Sequence, residues 1–254
     1  MTTDSLSSRG VAGLCRSGPT RRRTFGFTLI ELALVLIVIS LLIGGILKGW
    51  ELVQSSRVRA VAETTTAVQS AYFAFHDRFG HVAGDWNAVD ASNAIGVTVN
   101  GGGNDSGKVD TSALDPWTES NAFWEQLAKA RFVHGTYLGT AATEPTLDND
   151  LTPFNVFQRP IIFGRTSDFV GAVAPRRHVI VGRGASVGLL RELDVKLDDG
   201  KAAEGKIRAT VDDGAVSVFG GANLWGGRAA ACVNAGLDWD GDANAQDCNA
   251  LLIF

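Results

Sequence analysis

One continuous apolar run, Phe27–Leu47, dominates the hydrophobic pattern and reads FTLIELALVLIVISLLIGGIL. As a helix its 21 residues would span about 32 Å, which matches the hydrocarbon core of a bilayer. Glu31 is the one ionisable residue within the run. The pattern therefore predicts a membrane-crossing helix that carries a single acid.

A second pattern continues directly from this run. From Val58 onward apolar residues recur in steps of three and four, which places them on one side of a helix whose other sides are polar. We expect one helix over Thr28–Phe79, about 75–80 Å long, with Gly80 as its stop. Its predicted buried stripe consists of Val58, Val61, Ala62, Val68, Ala71, Tyr72, Phe75 and Phe79.

Beyond Gly80 the pattern changes to short elements. Residues 80–116 are rich in Gly, Asn and Asp and are predicted to form loops, and a short helix is expected at Thr118–Ala130. Gly188–Lys196 fits either a helix or a strand. Strands are predicted at Pro160–Phe163, His178–Val181, Lys206–Val211 and Ala215–Phe219. The last two flank Asp212–Asp213–Gly214 and predict a hairpin, so the expected class is α+β with a small antiparallel sheet.

Charge is distributed unevenly along the chain. Residues 1–26 carry five Arg and one Asp, a net charge of +4, whereas the remaining 228 residues carry 18 basic and 26 acidic side chains, a net charge of −8. Positive charge before an apolar segment holds the N-terminus of a membrane protein in the cytoplasm. An acidic remainder argues against nucleic acid as a partner.

Three interpretations compete for residues 1–50. A cleaved signal peptide fits poorly, because the apolar run is long and no small-x-small cleavage site follows it. A plain signal anchor, holding a binding module that never polymerises, fits the hydropathy. It gives no reason for Glu31, although a charge at the centre of a bilayer costs at least ~2.5 kcal/mol and marks a functional position by default.

The segment RRRTFGFTLIEL at 21–32 supplies that reason, because it resembles the processing site of type IV prepilins and pseudopilins. In that family a membrane peptidase cuts after a Gly that ends a basic leader, and the new N-terminal residue is methylated. The resemblance makes Gly26 the last leader residue, Phe27 the methylated N-terminus and Glu31 the acid that pairs with the amine of a neighbouring subunit. Weaker similarity to longer pilin-like proteins extends to residues 75–86, 119–135 and 193–209.

The resemblance implies a division of the chain and a set of partners. The divisions are a leader at 1–26, a transmembrane and assembly helix at 27–50, its amphipathic continuation at 51–79 and an extracytoplasmic pilin-like domain at 80–254. The implied function is a structural subunit of a pilus or a type II secretion pseudopilus, first in the inner membrane of a bacterium and then in a periplasmic or cell-surface filament. The partners would be further pilins, a prepilin peptidase and an inner-membrane assembly platform. Main pilin, minor pilin and pseudopilin all remain open.

Two cysteines, Cys232 and Cys248, lie 16 positions apart in a stretch rich in Asp, Asn and Gly. In an exported domain a disulfide between them is expected to contribute roughly 3 kcal/mol, and the alternative is two reduced thiols. Many pilins carry a disulfide loop at this place in the chain, so the resemblance favours the disulfide over two reduced thiols.

The acidic stretch LDWDGDANAQDCN at 237–249 overlaps that loop and extends one residue beyond Cys248. Alternating oxygen-bearing side chains suit a hard cation such as calcium, and calcium is known in some pseudopilins near this end of the chain. The stretch departs from the EF-hand pattern at Ala243 and Asn249, so a solvated acidic loop remains the alternative. The candidate ligands are Asp238, Asp240, Asp242, Asn244 and Asp247.

Two other patterns carry less weight. Residues 102–108 match the first seven positions of a phosphate-binding loop, but Val109 stands where the Ser or Thr that binds magnesium is needed. The four histidines lack the spacing of metal ligands, although His76 and His81 are expected to lie near each other at a helix end. No nucleophile and base are paired in the sequence, so we do not expect an enzyme or a cofactor other than calcium.

Overall fold

The structure, a computed structural model, describes residues 26–109, 117–140, 142–172, 174–180, 184–210, 232–243, 245–246 and 248–254. The chain divides into two compact units, Met1–Lys48 and Gly49–Phe254. The layout is α+β, as predicted. In chain order the elements are α1 Leu29–Phe79, α2 Ala88–Ile95, α3 Thr118–Lys129, β1 Ile162–Thr166, β2 Arg176–Ile180, α4 Val187–Leu197, β3 Ile207–Ala209 and β4 Ala250–Ile253.

Helix α1 is the long helix that the sequence predicts, and its bounds differ from the prediction by one residue. It ends at Gly80, whose φ of 74° lies in the left-handed region and whose N–H donates to the carbonyl of His76 at 2.7 Å. The Gly44–Gly45 pair lies within α1. We expect this pair either to unwind locally during assembly or to allow close helix packing in the membrane.

The second half of α1 packs on the rest of its unit through one face. The buried residues are Val58, Val61, Thr65, Val68, Ala71, Tyr72 and Phe75. This set confirms the predicted stripe apart from Ala62 and Phe79, which are half-buried, and Thr65, which joins it. Thr65 tolerates burial because its hydroxyl donates to the carbonyl of Val61 at 3.0 Å.

The four strands form one antiparallel sheet in the order β1-β2-β4-β3. Three strands confirm predicted segments, with bounds shifted by one to three residues. The fourth, β4, was not predicted, and it supplies the described neighbour of β3, since Arg208 lies opposite Leu251. The predicted strand Ala215–Phe219 and the turn at 212–214 lie outside the described residues.

The prediction of loops throughout residues 80–116 is wrong at α2. Asn87 caps this helix, because its side chain accepts from the N–H of Val89, and Gly96 ends it with a φ of 82°. The open choice at Gly188–Lys196 resolves as helix α4, where the Ser186 hydroxyl accepts from the N–H of Leu189 at 3.3 Å. Both starts follow the ordinary preference for Asn and Ser at helix N-termini.

The hydrophobic core lies on both faces of the sheet. On the side of α1, the rings of Phe123 from α3 and Phe163 from β1 stack with centroids 3.7 Å apart. Near the other end of that side, Val58 and Val61 pack in a cluster with α4 and the two cysteines. On the opposite face Ile162, Ile180 and Leu251 form a third cluster.

Candidate assembly site

The residues that the resemblance assigns to processing lie just before α1. Gly26, Phe27 and Thr28 are not helical, and Phe27 is 74% exposed. The hydroxyl of Thr28 accepts a hydrogen bond from the N–H of Glu31 at 3.3 Å, and its carbonyl accepts from Leu32 at 3.2 Å. Thr28 therefore acts as the N-cap, and the bond between Gly26 and Phe27 lies in the non-helical segment before it.

Glu31 is exposed in the first turn of α1. Thr28 and Glu31 occupy the two positions of a capping box, and an acid here faces the positive end of the helix dipole. The spacing of Thr28 and Glu31 also fits a local capping role for the Glu31 carboxylate, which the sequence analysis missed. This local role competes with the role in subunit pairing.

The apolar side chains that follow Glu31 are exposed along all sides of the helix. The exposed set includes Leu32, Leu36, Ile39, Ile43 and Ile46. One helix near the N-terminus is long and apolar enough to cross a membrane. A helix that is apolar all round requires an apolar surrounding, either lipid or other helices.

The cysteines Cys232 and Cys248 form a disulfide, as the first alternative held. Both are buried and pack with Trp239 in the cluster that also holds Val58. The indole Nε1 of Trp239 donates to Asp194 Oδ2 at 2.6 Å. The loop closed by the disulfide is therefore fixed to α4.

Three of the five predicted calcium ligands are described, and they lie together on this loop. Asp238 Oδ1 accepts from the N–H of Trp239, and Asp240 Oδ1 accepts from the N–H groups of Asp242 and Ala243 at 3.2 Å. Asn244 and Asp247 lie outside the described residues. The described contacts stabilise the turn, and the calcium site stays a prediction.

A second acidic group, which the sequence analysis missed, lies on and after α4. Ligand oxygens of Asp194, Asp198 and Asp199 lie within 4.8 Å of one another. Asp198 and Asp199 accept backbone N–H bonds from Ile207 and Lys201, and Asp194 is buried. Burial raises the pKa of Asp194 to about 6, and the hydrogen bond from Trp239 opposes part of that rise.

The segment that resembles a phosphate-binding loop holds a carboxylate of its own chain. Asp85 is 1% exposed, and its oxygens accept from the N–H groups of Ser106, Gly107 and Lys108 at 3.0, 2.7 and 3.2 Å. Successive N–H groups in such a turn form an anion-binding concavity. The anion here is Asp85, which explains the Gly-rich composition of the segment without a nucleotide.

The histidines at the end of α1 lie together, as predicted. His76 Nδ1 is 3.2 Å from the carbonyl oxygen of His81, and the ring of His81 stacks on Trp86 with centroids 4.4 Å apart. His81 Nδ1 is also 3.4 Å from Asp105 Oδ1. Ring stacking and a single carboxylate account for these contacts within the described residues.

No protein-family model, no curated protein and no solved structure matches this chain. The functional argument therefore depends on the residues themselves.

Proposed function

We propose that this chain is a structural subunit of a type IV pilus-like or type II secretion pseudopilus-like filament. A prepilin peptidase would cut after Gly26, and the subunit would assemble through α1. The observation that carries the proposal is the position of Glu31: an exposed acid in the first turn of a membrane-length apolar helix that begins two residues after Phe27.

The chemistry of cleavage supports this function. In the uncut chain the nitrogen of Phe27 is an uncharged amide, and cleavage turns it into an amine that is cationic near neutral pH. A carboxylate and an ammonium attract each other strongly in an apolar surrounding, although desolvation offsets much of the gain. The main effect of this pairing would be to set the axial register between neighbouring subunits. A subunit shifted along the filament axis would leave its Glu31 carboxylate buried and unpaired.

The competing function is a membrane-anchored binding module that does not polymerise. In that case Glu31 serves only its own helix, as the capping-box partner of Thr28. Processing distinguishes the two functions directly. Mass spectrometry of the native protein is expected to show methylated Phe27 as the first residue, and an intact leader would contradict the proposal.

Two substitutions of Glu31 separate charge pairing from capping. Glu31→Gln keeps a side-chain oxygen of the kind that a capping box needs at this position but removes the charge, whereas Glu31→Ala removes both. If the charge sets register, both variants stay in the membrane and are absent from sheared filaments. Normal incorporation of Glu31→Gln together with loss of Glu31→Ala would assign Glu31 to capping alone.

A further inference from the structure

The loop closed by the disulfide begins with a tight hairpin, directly after Cys232, whose tip is Leu237. Val233 and Trp239 form an antiparallel bridge, and the N–H of Asn234 donates to the carbonyl of Asp238 at 2.8 Å. The Asn234 side-chain oxygen accepts from Gly236 at 2.9 Å and from Asp238 at 3.1 Å. This network fixes the backbone of the tip.

Leu237 has an unusual conformation for its residue type. Its φ is 63°, in the left-handed region that L side chains rarely adopt, and its side chain is 54% exposed. Neither the backbone strain nor the exposure of the leucine benefits the isolated unit. Strain of this kind is a reason to look for a contact made elsewhere.

The base of the hairpin is rigid and its flanks are acidic. Cys232 is bonded to Cys248, and Trp239 is buried with its Nε1 bonded to Asp194. Asp238 and Asp242 are exposed on either side of Trp239. The hairpin therefore presents one apolar side chain beside two exposed carboxylates, with Arg191 close to Gly241 at its base and Lys201 within electrostatic reach of Asp238. This combination is called the acidic tip below.

A cleft of about 300 Å³ on the same unit has the complementary character. It lies where β2 begins and β4 ends, and its apolar surface comes from Phe169, Ala174, Ile253 and Phe254. Two guanidinium groups, those of Arg176 and Arg208, line it as well. This set of residues is called the arginine cleft below.

The two arginines are held differently. The Arg208 guanidinium is fixed, because it donates to the carbonyls of Gly171 and Gly205 at 2.9 and 3.1 Å and lies 5.4 Å from the ring centroid of Phe169. Arg176 is exposed, and within the described residues its guanidinium makes no ion pair. As far as the described residues go, Arg176 is thus available to an incoming carboxylate.

Acids close to the arginine cleft are already engaged. Asp198 accepts from the N–H groups of Lys206 and Ile207, and Glu204 forms an ion pair with Lys201 at 2.9 Å. Of these contacts, the ion pair with Lys201 reduces the repulsion that an acidic segment meets on entering the cleft.

We infer that the acidic tip of one copy docks in the arginine cleft of the next copy, with Leu237 on the apolar surface and Asp238 facing Arg176. The inference rests on the proposed function and specifies one contact between the globular units. Because the tip and the cleft are different surfaces, the contact is heterologous, and repeated heterologous contacts build open helical assemblies.

A photo-crosslinking amino acid at position 237 of the full-length chain tests this contact in cells. We expect a ladder of dimers and higher species, with the crosslink mapped by mass spectrometry to residues of the arginine cleft. The control places the same probe at Leu147, which is also exposed, where no such ladder is expected. A crosslinked dimer alone, without higher species, would overturn the head-to-tail arrangement.

Charge reversal tests the pairing. Arg176→Glu is expected to lower the crosslink yield from position 237 about tenfold, and adding Asp238→Arg is expected to restore it. Arg176 suits this test because its side chain is exposed, whereas Arg208 supports two backbone carbonyls. Protease resistance of both variants would show that they are folded. If the crosslink yield of the double variant were then no higher than that of Arg176→Glu alone, the result would contradict the pairing.

Leu237→Gly separates stability from docking. Glycine adopts a positive φ without strain, so the variant is expected to melt at a higher temperature and yet to give less sheared filament. Arg131→Gly is the matched control, because Arg131 is exposed with a φ of 65°, and it is expected to affect stability alone. Unchanged filament yield in Leu237→Gly would contradict the inference.

The outcomes keep the inference and the proposed function apart. Filaments with a methylated Phe27 but no crosslink from position 237 to the cleft would overturn only the inference. An intact leader with a crosslink ladder would overturn the proposed function and leave the contact. A chain that stays monomeric in the membrane overturns both.

Discussion

The carboxylate of Asp194 and the indole of Trp239 are joined by a 2.6 Å hydrogen bond, from Nε1 to Oδ2. This bond connects α4 to the loop that the disulfide closes, and both residues are buried. The bond therefore places an acid inside the domain, and the acid gives the domain a specific dependence on pH.

Asp194 is expected to make the domain less stable as pH rises. Burial raises its pKa from 3.8 in the unfolded chain to about 6 in the folded one, so between these values folding takes up a proton. The stabilisation from this proton is complete below about pH 4 and is lost as pH rises through 6. Asp194→Asn keeps an oxygen for Trp239 and removes the titration.

Thermal unfolding of the two proteins from pH 4 to pH 7 measures this effect. The difference in melting temperature, variant minus native, is expected to be smallest at pH 4 and to grow up to about pH 6. Asp148→Asn, which removes an exposed acid that does not act on Asp194, is the control and is expected to leave the pH dependence intact. A pH-independent difference for Asp194→Asn would contradict the prediction.

Asp85 is expected to hold the loop at residues 104–108 in place. Asp85→Asn replaces one acceptor oxygen by an N–H₂ group that faces backbone N–H donors, so we expect a loss of about 2–3 kcal/mol in the free energy of unfolding. Amide hydrogen exchange at Ser106, Gly107 and Lys108 is expected to accelerate most. Asp105→Asn, which changes an exposed neighbour, is the control. Equal acceleration of exchange in both variants would contradict the role of Asp85 in holding this loop.

Gly84 and Gly80 provide a matched pair for a steric prediction. Both have positive φ, 89° and 74°, but a Cβ at Gly84 would overlap the carbonyl oxygen of Glu119, whereas one at Gly80 meets nothing within 4 Å. Gly80→Ala is expected to cost about 1 kcal/mol through backbone conformation alone. Gly84→Ala is expected to cost clearly more in denaturant unfolding, and equal losses would contradict the close packing.

The elements with strong local patterns could be predicted from the sequence, and α1 is the best example. Its apolar run and its stripe of three- and four-residue steps both arise within the helix itself. The strand β4 lacked such a signal, because ALLI at 250–253 is too short to show a period. Helix α2 was missed because its Asn and Ser residues resemble a loop, although Asn87 and Gly96 cap it.

The buried polar contacts could not be predicted, because their partners are distant in sequence. Glu125 in α3 accepts from Gly101, 24 positions away, and Gln126 donates to the carbonyl of Trp86, 40 positions away. Such pairs become visible only when the chain is folded. Glu31 is the opposite case, because its capping-box spacing with Thr28 is visible in the sequence itself.

The disulfide is expected to stabilise the acidic tip more than the rest of the domain. Replacing Cys232 and Cys248 by Ser removes a constraint over 16 positions, for which we expect a loss of roughly 3 kcal/mol. Hydrogen exchange is expected to accelerate first at Asn234 and Asp240, whose N–H groups form the hairpin bonds. Uniform acceleration over the whole domain would show that the loop has no separate stability.

Calcium binding by the acidic loop can be decided by calorimetry on the full-length chain in detergent. If the prediction holds, millimolar calcium gives one saturable site, and Asp240→Asn weakens it because a neutral amide is a poorer ligand for a hard cation. Asp148→Asn changes the same charge at an exposed position outside the loop and is expected to bind as the native chain does. No heat at millimolar calcium would leave a solvated acidic loop, with its carboxylates available to a neighbouring copy.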